Sequence, residues 1–418
     1  MPIDLRHFGR YYLTRRVSLG GMAEVFKAKC YIDGRLEKIV ALKRLLPNVA
    51  EDQQFIDMFL QEAQLAARLE HPNICRIYEL GKVGVSYYIT MEYLYGRDLR
   101  AVLKALKKTG RDIDPRIAAW IGAQVAEGLA YAYRRDDEEG EPMHLVHRDI
   151  SPQNIMIGFD GSVKIIDFGI AKVANATVQT DVGILKGKYS YMSPEHADRQ
   201  TLDARSDIWS LGVVLHELLR CKRLFIGKSM ADTIDQVLHL PIPALTDVPP
   251  QLAETVHSML QRDRDVRPAN HRMVQEHFDA YLATESAPVN DEIMAQWMDN
   301  IFPDAARVEE DLTDNEVKSL LYSAEELGDE TTDMRGEVTS ATEIFLADTT
   351  NQGDYRAALE RLISTHTTEE NTESSPITTK AKGTEKDPRE AMDDVTIGRD
   401  AWTALSAILL VTWLLLFL

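Results

Sequence analysis

His147-Arg148-Asp149-Ile150-Ser151-Pro152-Gln153-Asn154, followed 13 residues after Asn154 by Asp167-Phe168-Gly169, is the stretch that decides the fold. Moving a phosphoryl group onto a hydroxyl needs a carboxylate that orients the hydroxyl and accepts its proton. It also needs oxygen ligands that hold magnesium across the phosphates. Asp149 suits the first need. Asn154 and Asp167 suit the second, one at each end of a short hairpin expected over residues 155–166. A polar loop with Asp and Asn is common, but both motifs at this separation are not a chance pattern.

Working towards the N-terminus, residues 85–91 read as a strand, and residues 55–69 carry helical spacing that ends at His71-Pro72, where proline halts a helix. Glu62 lies on that helix. Val40-Ala41-Leu42-Lys43 places a lysine at the end of an apolar strand, and a buried ammonium needs an anion, which a nucleotide phosphate or the Glu62 carboxylate can supply. Taken alone, Lys43 and Glu62 each read more readily as a snorkelling surface charge. Val17-Ser18-Leu19-Gly20-Gly21-Met22-Ala23-Glu24-Val25 joins two strand-like runs, 11–17 and 25–31. Its small residues would let backbone N–H groups approach triphosphate oxygens, although a plain Gly-Gly hairpin turn explains them too.

Together these motifs resemble the eukaryotic-like Ser/Thr protein kinases, in particular the bacterial membrane-linked ones. The resemblance runs from about residue 11 to 282 and includes Ser193-Pro194-Glu195, Asp207 and Arg267. It implies an α+β, two-lobed protein-kinase fold, with an antiparallel β-rich N-lobe over residues 11–92 and a mainly helical C-lobe over 93–285. It also implies ATP and Mg2+ as cofactors, with Mn2+ admissible, and serine or threonine hydroxyls of proteins as acceptors. By position, Lys43 would hold the α- and β-phosphates and pair with Glu62, Asp149 would be the catalytic base, and Asn154 and Asp167 would be the metal ligands. Residues 17–25, Ala41, gatekeeper Met91, Glu92 and Leu94 of the hinge, and Asp98 at the ribose would surround the nucleotide. Glu195 should pair with Arg267, and Asp207 should brace the loop at 147–149.

The chain departs from the family at Ser18 and Ala23, where the loop usually has glycine, and at Ser151, where a lysine usually contacts the γ-phosphate. Lys188 stands where the family has threonine, so it is expected to supply the missing cation from the activation segment; a solvent-facing lysine is the alternative. Arg148 implies control by a phosphate on that segment, with Thr177 and Thr180 as candidates.

The chain has 418 residues, 44% hydrophobic and 27% charged, with a net charge of −19. Residues 301–400 hold 25 acidic against 10 basic side chains, so the acidity belongs to one segment and nucleic-acid binding is not expected. Three cysteines in no paired spacing suggest neither disulfides nor a zinc site. After a short helical extension at 286–305, residues 306–400 mix 15 threonines with acids and read as a disordered linker. Its threonines are either targets read by a phosphothreonine-binding partner or parts of a solvating tether. Residues 401–418 carry no charge and, as a helix, would span roughly 27 Å, which fits a transmembrane helix. The expectation is a single-pass tail anchor in the cytoplasmic (inner) membrane, with the kinase domain in the cytoplasm and self-association for trans-autophosphorylation. Competing readings are a weakly active pseudokinase acting as a phospho-regulated scaffold, and a small-molecule kinase of the same fold.

Overall fold

The computed structural model describes residues 6–32, 35–136, 140–168 and 189–303. The chain divides into two compact units, residues 1–362 and 363–418, and every described residue belongs to the first. Gly169, Thr177, Thr180, Lys188, the acidic segment 306–400 and the apolar segment 401–418 lie outside the described residues.

Strands β1 (Arg6–Phe8), β2 (Tyr11–Leu19), β3 (Ala23–Ile32) and β4 (Arg35–Leu45) form an antiparallel meander. β5 (Ile77–Val83) and β6 (Ser86–Glu92) complete a six-stranded sheet of order β1-β2-β3-β4-β6-β5. Helix α1 (Gln53–Ala67) precedes β5, capped by the Asp52 carboxylate, which accepts the Gln54 N–H. Strand alternation separates two apolar clusters. One joins Leu45, Leu80 and Ile89 to Ile56, Phe59, Leu60 and Ala63 of α1; the other gathers Tyr11, Leu13, Ala28, Val40, Leu42 and Tyr88. The buried face of α1 is therefore centred on Ile56, Phe59, Leu60 and Ala63. Helix α1 ends at Ala67, short of the expected end at 69, where a last tight turn has Leu69 donating its N–H to Ala66 O at 3.1 Å.

That crossing is made by main chain. Ile165 donates its N–H to Asn73 O at 2.8 Å, and Cys75 donates to Ile165 O at 2.9 Å. The Asn73 amide adds bonds to Gln124 Oε1 at 2.9 Å and Val163 O at 3.0 Å.

The second lobe opens with β7 (Gly96–Asp98), which pairs with β8 (Ile155–Gly158), and β8 pairs in turn with β9 (Val163–Ile165). Its helices are α2 (Leu99–Thr109), α3 (Pro115–Arg134), α4 (Pro194–Ala197), α5 (Ala204–Arg220), α6 (Met230–His239), α7 (Pro250–Met259), α8 (His271–Leu282) and α9 (Asp291–Ile301). Asp114 caps α3 by accepting the Arg116 N–H at 2.9 Å, and Pro115 takes the first turn. Beyond the stripe of Ile117, Ile121, Val125 and Leu129, the small residues Ala118, Ala119, Gly122, Ala123 and Ala126 are buried too, so α3 is surrounded. A Cβ on Gly122 would lie 2.8 Å from Phe278 of α8 and 3.0 Å from Leu215 of α5. Val289, Met294 and Met298 join this core, so the folded body continues past residue 285 through α9.

Candidate active site

Lys43 lies opposite Val25 across the β3–β4 ladder, which puts both side chains on one face. Its ammonium donates to Glu62 Oε1 at 2.9 Å and to Asp167 Oδ1 at 2.8 Å. Burial alone would lower its pKa, but the carboxylates of Asp167 and Glu62 outweigh that and hold it above the ordinary lysine value. Helix α1, strand β4 and the end of the β8–β9 hairpin thus meet at one ammonium.

The hairpin between β2 and β3 closes at Leu19 and Glu24, with Gly20 donating its N–H to Ala23 O at 2.8 Å. Alternation turns the Glu24 side chain to the face opposite Val25, where Arg44 Nη2 donates to it at 2.6 Å.

Ala41 and Met91 pair directly across β4 and β6. At the hinge, Glu92 donates its N–H to Arg76 O at 2.8 Å, and its carboxylate meets Lys164 at 3.0 Å. Its carbonyl faces the Cys75 thiol at 3.6 Å. Lys27 Nζ stands 4.5 Å and 4.7 Å from the ring centres of Tyr93 and Tyr95, flanking Leu94, so a cation clasps the hinge to β3. Asp98 spends Oδ1 on capping α2 through the Ala101 N–H at 2.7 Å, and burial raises its pKa.

In the loop 147–154, Arg148 has φ +65°, and beyond the hairpin Asp167 has φ +51°, a left-handed conformation that non-glycine residues adopt at a cost. Asp207 holds the first turn: fully buried, it accepts the N–H groups of His147 at 2.7 Å and Arg148 at 2.9 Å. Burial pushes its carboxyl up to about 7, against the opposing pull of those two amides. His147 Nδ1 accepts the Asp149 N–H at 3.2 Å, which leaves Nε2–H as donor to Ile166 O at 3.2 Å. Asn154 donates Nδ2 to both the carbonyl and Oδ2 of Asp149, each at 2.8 Å, so its amide oxygen is not the atom engaged there.

Among the described residues, no three His, Cys, Asp or Glu side chains gather as a metal cage. Two oxygen donors, Asp167 and Asn154, fit a metal that keeps water and takes phosphate oxygens, which is the habit of Mg2+. Ser151 is buried, and its hydroxyl has no hydrogen-bond partner among the described residues.

Below the cleft, Arg267 donates two bonds of 2.8 Å to Glu195, and Ser206 Oγ adds a third at 2.7 Å. Burial would raise the Glu195 pKa, but Arg267 holds it down to about 2. Glu217 is buried against the Tyr191 hydroxyl and Arg100, the latter at 3.2 Å. Sequence reasoning missed Glu217, Arg100 and Lys27. The available signal for Glu217 was a carboxylate inside the apolar run 208–219.

Residues 11–278 match the family described as the protein kinase domain. The tyrosine-protein kinase MasK of Myxococcus xanthus is 37% identical over 280 residues, 67% of this chain and 43% of that protein. The serine/threonine-protein kinase PrkC of Bacillus subtilis is 34% identical over 68% of this chain and 42% of that protein. PknB of Mycolicibacterium smegmatis, a serine/threonine-protein kinase, is 38% identical over 62% and 40%. The chain therefore spans about two fifths of the length of these relatives.

Proposed function

From the premise that the chain belongs to the protein kinase domain family, we propose that it transfers the γ-phosphoryl group of ATP to serine or threonine hydroxyls of proteins. The supporting observation is the convergence of Lys43, Glu62 and Asp167 at one point, with Asn154 bonded to Asp149 beside it. Glu62 keeps Lys43 extended towards the phosphates. Asp149, steadied by Asn154, orients the acceptor hydroxyl and takes its proton. When bound by Asp167 and Asn154, Mg2+ would supply charge neutralisation across the phosphates. The nucleotide would lie between residues 17–25, Ala41 and the hinge at Met91, Glu92 and Leu94, with Asp98 near the ribose.

Radiolabelled autophosphorylation tests this directly. Wild type should incorporate label, and Asp149→Asn should lose about 10²- to 10⁴-fold. An inert wild type would favour the scaffold reading that Ser151 suggests. Phosphoamino-acid analysis of the product should show phosphoserine and phosphothreonine. Phosphotyrosine alone would move the acceptor class towards that in the name of the Myxococcus relative.

Lys188 supplies the cation that Ser151 lacks, and a Lys188→Met variant with wild-type turnover would refute this. A phosphate on Thr177 or Thr180 engages Arg148, whose Nε is buried without a partner among the described residues. Mass spectrometry after incubation with ATP checks it. Residues 401–418 anchor the chain in the cytoplasmic membrane; among the described residues no helix is long and apolar enough to cross one. Deleting 401–418 should move the protein from the membrane fraction to the supernatant. The linker threonines are sites for a phosphothreonine-binding partner, and self-association permits trans-autophosphorylation.

A further inference from the structure

The β8–β9 hairpin connects the two groups assigned above to the metal. Asn154 immediately precedes β8, and Asp167 follows β9 by two residues. Its far end is the turn at residues 159–161, and α9 is seated on that turn. A Cβ on Gly161, where φ is +90°, would fall 1.8 Å from Asp291 O, so helix and turn touch through main chain. Just beyond the helix, Phe302 meets Phe159 edge to face with centres 6.5 Å apart. The Arg97 guanidinium lies 5.3 Å from the Phe159 ring centre and 5.9 Å from that of Phe302.

Arg97 belongs to β7, pairs with Ile157 of β8 and precedes Asp98. One cation therefore ties the strand at the ribose position to the hairpin that bears the metal-side groups, and an aromatic ring from the C-terminal extension closes the tie. The extension itself is held firmly in place, since Met294 and Met298 are fully buried and Arg111 donates to Asn300 O at 3.0 Å. Residues 291–302 also lie beyond the stretch matched to the family, 11–278.

We propose that the clasp of Phe302 and Phe159 on Arg97 is a positioning element for the nucleotide site, supplied by the C-terminal extension, and that it sets affinity for Mg-ATP rather than the rate of transfer. The assignment rests on the kinase reading above. Two cation–ring contacts of ordinary strength correspond to about a tenfold change in affinity. The full chain carrying Phe302→Ala, and separately Arg97→Met, is titrated with Mg-ATP and assayed for KM and kcat well below its melting temperature.

The expected result is about a tenfold rise in Kd and KM for Arg97→Met, which loses both contacts, and about threefold for Phe302→Ala, which loses one, with kcat within about twofold of wild type in each. Ile293→Ala, on the exposed face of α9, should leave all three unchanged. Folded Phe302→Ala and Arg97→Met proteins with wild-type Kd would overturn the proposal, as would a loss confined to kcat. If Phe302→Ala fails to fold, Arg97→Met decides alone. Wild type that binds no Mg-ATP would instead refute the kinase reading itself.

Discussion

Replacing Arg267 by alanine removes two charge-assisted bonds to Glu195, each 2.8 Å, from a site where Glu195 is only 4% exposed. It also strips donors from Gln261 O and Arg205 O, and the cation from the Trp209 ring at 5.2 Å. An unpaired buried carboxylate left behind costs about 3–5 kcal/mol. In a folded body of this size that lowers the melting temperature by about 6–10 °C. The depressed pKa of Glu195 expresses the same pair. The Glu195 pKa falls from 4.5 to about 2 on folding, which corresponds to about 3 kcal/mol.

The sign follows from the depressed value. The contribution is complete above the unfolded pKa of 4.5 and is lost as pH falls through that value towards 2. About 2 kcal/mol of it should be gone by pH 3. Urea denaturation of wild type and Glu195→Gln at pH 7 and pH 3 should therefore show a stability gap that narrows on acidification. A gap below about 1 kcal/mol at pH 7, or one indifferent to pH, would refute the reasoning.

Lys43→Met should weaken Mg-ATP binding and reduce transfer by at least about 10²-fold while the protein stays folded, because Glu62 and Asp167 are partly accessible to water; calorimetric titration with kinetics checks it. Gly96→Ala should melt several degrees lower, since its Cβ would lie 2.1 Å from Ile157 O, a backbone atom that yields only if β7 parts from β8; a thermal melt followed by circular dichroism reads the shift. Asp207→Asn places an amide where two backbone donors need acceptors, and should cost about 1–3 kcal/mol together with turnover. Unchanged stability and activity in that variant would show that the turn at 147–148 holds itself.

The kinase fold was legible because its chemistry is written in short, rigid segments. Asn154 and Asp167 flank one hairpin, with Asp149 five residues before Asn154 on a tight loop, and Lys43 lies near the end of β4, so sequence spacing converts almost directly into geometry. Glu195 with Arg267, and Asp207 with the backbone at 147–148, also meet as expected. What escaped depends on contacts between distant segments. Glu24 faces Arg44 because of strand alternation, which a motif read as a string of loop residues ignores. The packing of Met294 and Met298 into the main core left no signal in a segment read as a mere extension. Lys27 between two tyrosines reads in sequence as an ordinary basic residue on a strand.

The stitching of residues 73–75 to β9 has a mechanical consequence. Two backbone bonds about Ile165 pin residues 73–75 to β9, so any strain on the link between α1 and β5 is passed to the hairpin that runs on to Asp167. Because Lys43 binds Asp167 just past that hairpin, the crossing and the ammonium tie the upper sheet to the same short stretch of the lower lobe at two places, one neutral and one charged.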